Sequence, residues 1–132
     1  MRVQNATLSW STDQATYTAS GDISNAALYS QPISLRYLDK YAIQIVTTGA
    51  TVTGAFKLQA SNSDPAIPDA GIPSASGMNW TDIDGSSVTF TTAGSFVWNA
   101  QGVGYQWVRV VWTESGTAAG AVTGRVHVKG PA

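Results

Sequence analysis

Residues 105–114 read YQWVRVVWTE, and the two interleaved faces of this run decide the fold. Successive side chains of an extended chain point to opposite sides, so Val108, Val110 and Trp112 share one face. Tyr105, Trp107, Arg109 and Val111 share the other. Both faces are rich in β-branched and aromatic residues, which pack well on a pleated surface. A strand apolar on both sides is expected in the middle of a layered structure, covered above and below.

The same period of two recurs outward from this run. Residues 121–129 (AVTGRVHVK) follow a turn at 115–120, with Val122, Val126 and Val128 on one face and Thr123, Arg125, His127 and Lys129 on the other. That pattern predicts one buried side and one wet side. In residues 40–47 (KYAIQIVT), Tyr41, Ile43 and Ile45 alternate with Ala42, Gln44 and Val46. In residues 53–61 (TGAFKLQAS), Phe56, Leu58 and Ala60 oppose Lys57 and Gln59. Residues 87–91 and 95–98 are read as two short strands joined in a hairpin by Thr92-Ala93-Gly94, whose glycine can take a positive φ. Weaker strand signals lie at 7–11, 15–20 and 33–38. No window sustains helical spacing, and Glu, Lys, Leu and Arg are scarce. About eight short antiparallel strands with Gly-, Ser- and Asn-rich turns predict a single all-β domain over residues 1–132, a β-sandwich of jelly-roll or immunoglobulin-like type.

Two segments depart from this rhythm. The first thirty residues are irregular and are expected to supply an N-terminal arm, with Leu28 and Tyr29 reaching a neighbour. Residues 61–79 read SNSDPAIPDAGIPSASGMN, a loop long enough to suggest function. Pro65, Pro68 and Pro73 stiffen it, which lowers the entropy lost on docking. Ile67, Ile72 and Met78 fold back over the sandwich, or with Pro68 and Pro73 meet a partner, or belong to a disordered loop.

Composition narrows the function classes. Seven Lys+Arg against eight Asp+Glu leave a net charge of −1, and 11% of residues are charged where about 25% is typical. The basic residues are scattered along the chain, so the clustered footprint of a nucleic-acid binder is missing and none is expected as partner. A surface so poor in charge packs against copies of itself with little desolvation cost. There is no cysteine, hence no disulfide or thiolate metal site. No apolar run has the length of a membrane span or a signal segment, so the chain is expected to be soluble, untargeted and complete from its initiator methionine.

The search for chemistry leaves no catalytic, cofactor or metal site to expect. His127, the one histidine, lies on a polar strand face, and no serine sits in a nucleophile elbow. Asp82 and Asp84 form a D-x-D-G string like the start of a calcium loop, but the remaining oxygen ligands are absent. A turn at Asp84-Gly85 is the simpler reading. Arg109, mid-strand beside Trp107, is expected to be held by an ion pair or a cation–π contact. The five tryptophans invite a sugar-binding reading, yet most sit in strand patterns where core aromatics belong.

Residues 54–130 contain GAFKLQASN … WTDIDGSSVTFTTAGSFVWNAQGVGYQWVRVVWTESGTAAGAVTGRVHVKG. This run resembles a pattern of small structural proteins of tailed bacteriophages, carried by Trp80, Asp82, Phe96, Trp98, Tyr105, Trp107, Arg109 and Gly130. The resemblance covers a little over half of the chain. It implies a non-enzymatic β-sandwich on the virion exterior, assembled in the bacterial cytoplasm: a capsid decoration (cement) protein. Such a protein forms a dimer or trimer and clamps the major capsid protein, without membrane or cofactor. A tail or head-fibre component fits the same likeness. The order Trp-x-Asp … Tyr-x-Trp-Val-Arg-Val is also similar to discoidin-like carbohydrate-binding modules, the rival reading.

Overall fold

A computed structural model of the chain describes residues 3–36, 38–63 and 75–130. Two antiparallel sheets stack face to face as a β-sandwich. One sheet has five strands: β1 (Val3–Thr7), β3 (Gly21–Asp22), β6 (Lys40–Thr51), β10 (Ser95–Gln101) and β12 (Ala119–Lys129). Its order is β1-β12-β6-β10, with β3 also on β12. The other has seven: β2 (Trp10–Ser11), β4 (Ala27–Ser30), β5 (Ile33–Ser34), β7 (Gly54–Ser61), β8 (Thr81–Asp82), β9 (Val88–Phe90) and β11 (Trp107–Glu114). Its order is β2-β4-β11-β7-β8, with β5 on β11 and β9 on β7. Eight of the described strands have three or more residues; the weak signal at 15–20 yields only an isolated bridge at Thr18, whereas β4 falls within the expected arm. The other four, β2, β3, β5 and β8, are two-residue pairings too short to read from a periodicity.

The alternation sorts side chains as expected. Tyr41, Ile43 and Ile45 of β6 and Val122, Val126 and Val128 of β12 face inward, against Phe56, Val108, Val110 and Trp112 of the other sheet. Phe56 and Trp112 are directly opposed on β7 and β11, ring centroids 4.6 Å apart, and Phe90 meets Phe56 edge-on at 5.4 Å. Each such buried side chain stabilises the fold by roughly 1.5–3 kcal/mol relative to exposure. The Trp10 indole N–H is buried in this core without a hydrogen-bond partner, whereas two other polar groups that enter it are paired. The Trp112 indole N–H donates to the Ile23 carbonyl at 3.1 Å, and the Val110 amide donates to the Ser30 hydroxyl at 2.8 Å. β11 lies between β4 and β7 with residues 107–112 buried on both faces, the central strand its sequence demands.

Two expectations need correction. The pairing of 87–91 with 95–98 as a hairpin does not form: β9 pairs with β7, whereas β10 pairs with β6 in the opposite sheet. Phe90 is drawn to Phe56, and Trp98 reaches across to donate its indole N–H to the Ser86 carbonyl at 2.8 Å. The segment between them therefore crosses the sandwich instead of turning back along one sheet. The described part of the expected arm, residues 3–30, is woven into both sheets, with Leu8, Trp10, Ile23 and Leu28 in the core. Within the five-stranded sheet, β6 and β12 shift register between Ala119 and Ala121, where Gly49 (φ 140°) and Gly120 (φ 151°) face each other too closely for a β-carbon on either.

Candidate functional site

The sandwich has two outer faces, and they are built differently. On the seven-stranded sheet, residues 107, 109 and 111 of β11 point outward, yet Trp107, Arg109 and Val111 are all buried. Two connections reach over this face: the turn after β2, which carries Gln14, and the segment leading into β8, which carries Trp80. A tight turn after β2 starts with Ser11, whose hydroxyl donates to Asp13 at 2.7 Å. The Asp13 and Gln14 amides donate back to the Ser11 hydroxyl, and those of Ala15 and Thr16 donate to the Asp13 carboxylate at 2.9 Å. These donors, the Thr16 amide first, hold the Asp13 carboxyl down at about 2. The turn places Gln14 at φ 61°, in the left-handed region, with its side-chain oxygen 2.7 Å from the Arg109 Nη1 donor.

Arg109 sits 4.5 Å from the ring centroid of Tyr29 and 4.3 Å from that of Trp80. Its Nε donates to the Gln59 side-chain oxygen at 2.9 Å. Gln59 in turn donates to Asp82 at 2.9 Å, and Lys57 makes the second contact to that carboxylate at 2.9 Å. These contacts follow the register, which sets Arg109 opposite Gln59 and Gln59 opposite Asp82. Among the described residues Arg109 has no ion pair, and burial lowers its guanidinium to about 10, still charged at neutral pH. Tyr17 lies close enough for the two to interact electrostatically; burial raises its hydroxyl, and Arg109 opposes that shift. The arrangement cross-ties strands and loops through one cation.

The residues singled out from the sequence are dispersed by the fold. Leu28 points inward beside Trp112 and is 2% exposed, so it has no area to offer a partner; Met78 is likewise buried at 6%. Tyr29, next to Leu28, is half-buried and stacks on Arg109 instead of reaching a neighbour. Trp107 shares the face of Arg109, but its indole N–H donates to the Ser63 carbonyl at 3.2 Å; the rings on the guanidinium are those of Tyr29 and Trp80. Ile67, Pro68, Ile72 and Pro73 lie outside the described residues. Trp10, Trp98, Trp107 and Trp112 are buried, and Trp80 is half-buried. Asp82 is engaged by Lys57 and Gln59, and among the described residues no group of three or more His, Asp or Glu is placed to hold a metal.

Sequence reasoning missed the edge of the five-stranded sheet. Among the described residues, β10 (SFVWNAQ) ends the sheet, with no charge, no proline and no bulge. The Thr47 amide donates to the Gly94 carbonyl at 2.8 Å, which sets the phase of the β6–β10 ladder. In that phase Phe96, Trp98 and Ala100 bond to β6, while the N–H and C=O of Ser95, Val97, Asn99 and Gln101 point off the edge. Val97 is 51% exposed and Val46, its diagonal neighbour, 38%. They are the two exposed large hydrophobic residues among those described.

No protein-family model matches the chain, and no curated protein matches it. Solved structures share its fold at low identity. A protein of the disulfide-linked pili that form Bacillus endospore appendages is 10% identical, with a TM-score of 0.51, over 98% of this chain and 89% of its own. The SPBc2 prophage-derived protein YomS is 13% identical, with a TM-score of 0.47, over 97% and 95%. Chitosan-binding module 1 of a chitosanase/glucanase from Paenibacillus sp. IK-5 is 15% identical, with a TM-score of 0.49, over 95% and 92%. The likeness is one of fold: a β-sandwich architecture.

Proposed function

We propose that this chain is a non-enzymatic structural protein of a bacteriophage particle: a decoration protein that forms a homo-oligomer and fastens onto the major capsid protein outside the shell. The observation that carries the reading is the open edge β10. Natural sheets protect such edges with charge, proline, bulges or brevity, because an unpaired row of N–H and C=O groups templates pairing with another chain. The edges of the seven-stranded sheet are short, two residues in β2 and β8. β10 has seven residues and none of these protections. Pairing two copies antiparallel about Val97 sets Val97 against Val97 and Ser95 against Asn99, with no charge in register. Two five-stranded sheets then join edge to edge, and many such weak contacts on one shell add through avidity. The sequence resemblance supplies the phage setting.

Sedimentation velocity on the purified chain is expected to show the oligomer. Val97→Pro removes an outward N–H and no bond to β6, so it is expected to yield a folded monomer. Val97→Lys should do the same by placing charge on the edge. A wild-type chain that stays monomeric, together with particles equally heat-resistant with and without it, overturns the proposal.

A second reading rests on Trp80, Tyr29 and Tyr17, half-buried aromatics grouped around Arg109 on the opposite face. They offer a platform for stacking a sugar ring. Glycan-array binding abolished by Trp80→Ala, with folding retained, would favour it over assembly.

A further inference from the structure

Basic residues distant in sequence meet on the outer face of the five-stranded sheet. Register places Lys129 opposite Lys40, with Gln101 beyond it on β10. The next row across β1, β12, β6 and β10 is Asn5, His127, Ala42 and Asn99. The third is Thr7, Arg125, Gln44 and Val97. Ala42 is the small residue at the middle, and two depressions of about 260 and 300 Å³ meet over it, both lined by Ala42 and His127.

Several independent features of this face lack a counterpart among the described residues. The strands that build it, β1, β6, β10 and β12, contain no Asp or Glu. Among the described residues no carboxylate lies within ion-pair distance of Lys40, Arg125 or Lys129; the described ion pair, Lys57–Asp82, is on the opposite face. Arg125 has only a long contact to the Thr7 hydroxyl at 3.4 Å. Asp22, on β3, is taken up by Ser24, and Asp39 lines a separate depression with Leu35, Leu38 and Tyr105. Lys40 and Lys129 are directly opposed like charges, an arrangement that destabilises a sheet unless an anion sits between them. The His127 Nε2 atom is buried with no hydrogen-bond partner, and its ring borders both depressions.

We infer that this face binds an acidic protein segment, whose carboxylates sit over Ala42 between Lys40, Lys129, Arg125 and His127. Charge complementarity selects the occupant: three cations without counterions among the described residues, ringed by the amides of Asn5, Gln44 and Asn99, match an extended run of carboxylates. The exposed Val97 and Val46 beside the cations offer its apolar side chains a seat. The inference deepens the decoration reading by naming the gripping surface, and it rests on that reading only for which protein supplies the segment.

The test uses the full, isotopically labelled chain and a synthetic oligoglutamate peptide, followed by amide chemical shifts. Saturable binding is expected, with shifts concentrated at Ala42, Asn99, His127 and their neighbours. The Lys40→Gln/Lys129→Gln double variant should weaken it about tenfold, whereas Lys57→Gln on the other face should leave it unchanged. No binding, shifts centred elsewhere, or equal weakening by Lys57→Gln overturns the inference. Inorganic phosphate binding as tightly as the peptide overturns it too, since the site would then hold a free anion. Lys129 is exposed and Lys40 half-buried on the outer face, so the double variant should fold, which its thermal transition verifies. Peptide binding without any binding to phage shells would sink the decoration reading and leave this site standing.

Discussion

The two outer faces of the sandwich are made from the same kind of strand and do opposite things. On the seven-stranded sheet, two connections close over β11, and Arg109 is buried between Tyr29 and Trp80 with amide partners from Gln14 and Gln59. On the five-stranded sheet nothing described covers the face, and among the described residues its cations have no carboxylate partner. A buried charge with its donors placed ties a fold together, because removing any partner leaves a desolvated group behind. An exposed charge contributes little to stability and is available to another molecule. The difference predicts that substitutions on the first face act on folding and those on the second on association.

The sharpest way to break this contrast is Arg109→Ala. It removes two charge-assisted hydrogen bonds and two ring contacts and strands the Gln14 and Gln59 oxygens, so denaturant unfolding should show a loss of about 2–4 kcal/mol. A loss under about 0.5 kcal/mol, typical of surface positions, would mean the covered face is no cross-tie. Trp80→Ala should cost less, about 1–2 kcal/mol, by exposing one side of the guanidinium and losing the indole bond to the Ala75 carbonyl at 3.0 Å.

Acid titration sharpens the same face more gently. The Asp13 carboxyl is held at about 2 in the fold, below its value in the unfolded chain. The unfolded state therefore takes up the proton first, and the stabilisation present above about pH 4 fades as pH falls towards 2. Asp13→Asn should flatten the acid limb of the stability profile; an unchanged limb would detach this turn from the fold's stability. On the open face, Lys129→Gln relieves the repulsion with Lys40 and should raise stability by about 0.2–1 kcal/mol. Val97→Thr should alter it by less than about 0.5 kcal/mol while weakening self-association.

Legibility in the sequence followed locality. The two faces of β11, the inward set of β6 and the wet set of β12 were all readable, because alternation is written in consecutive residues. The Asp84-Gly85 bend was readable as well, and Gly85 does take φ 77°. The hairpin between β9 and β10 was misread because a short Gly-containing connection looks the same whether it turns back or crosses to the other sheet. Leu28 and Tyr29 looked like arm residues because two- and four-residue strands are too short to show a period. The covering turn at 11–16 carried a signal in its Ser-x-Asp string, but nothing local said that Gln14 would meet Arg109.

By itself, then, the sequence determined the class of fold and the inward side of each long strand, since a period of two in apolar residues leaves only one face to bury. Tertiary structure alone decided which strand became an open edge. It also decided where charge gathered: Lys40, Arg125 and Lys129 read as scattered along the chain and stand together on one face. Register between β6 and β12 makes that patch, and register is a property of pairing between strands some eighty residues apart in the chain.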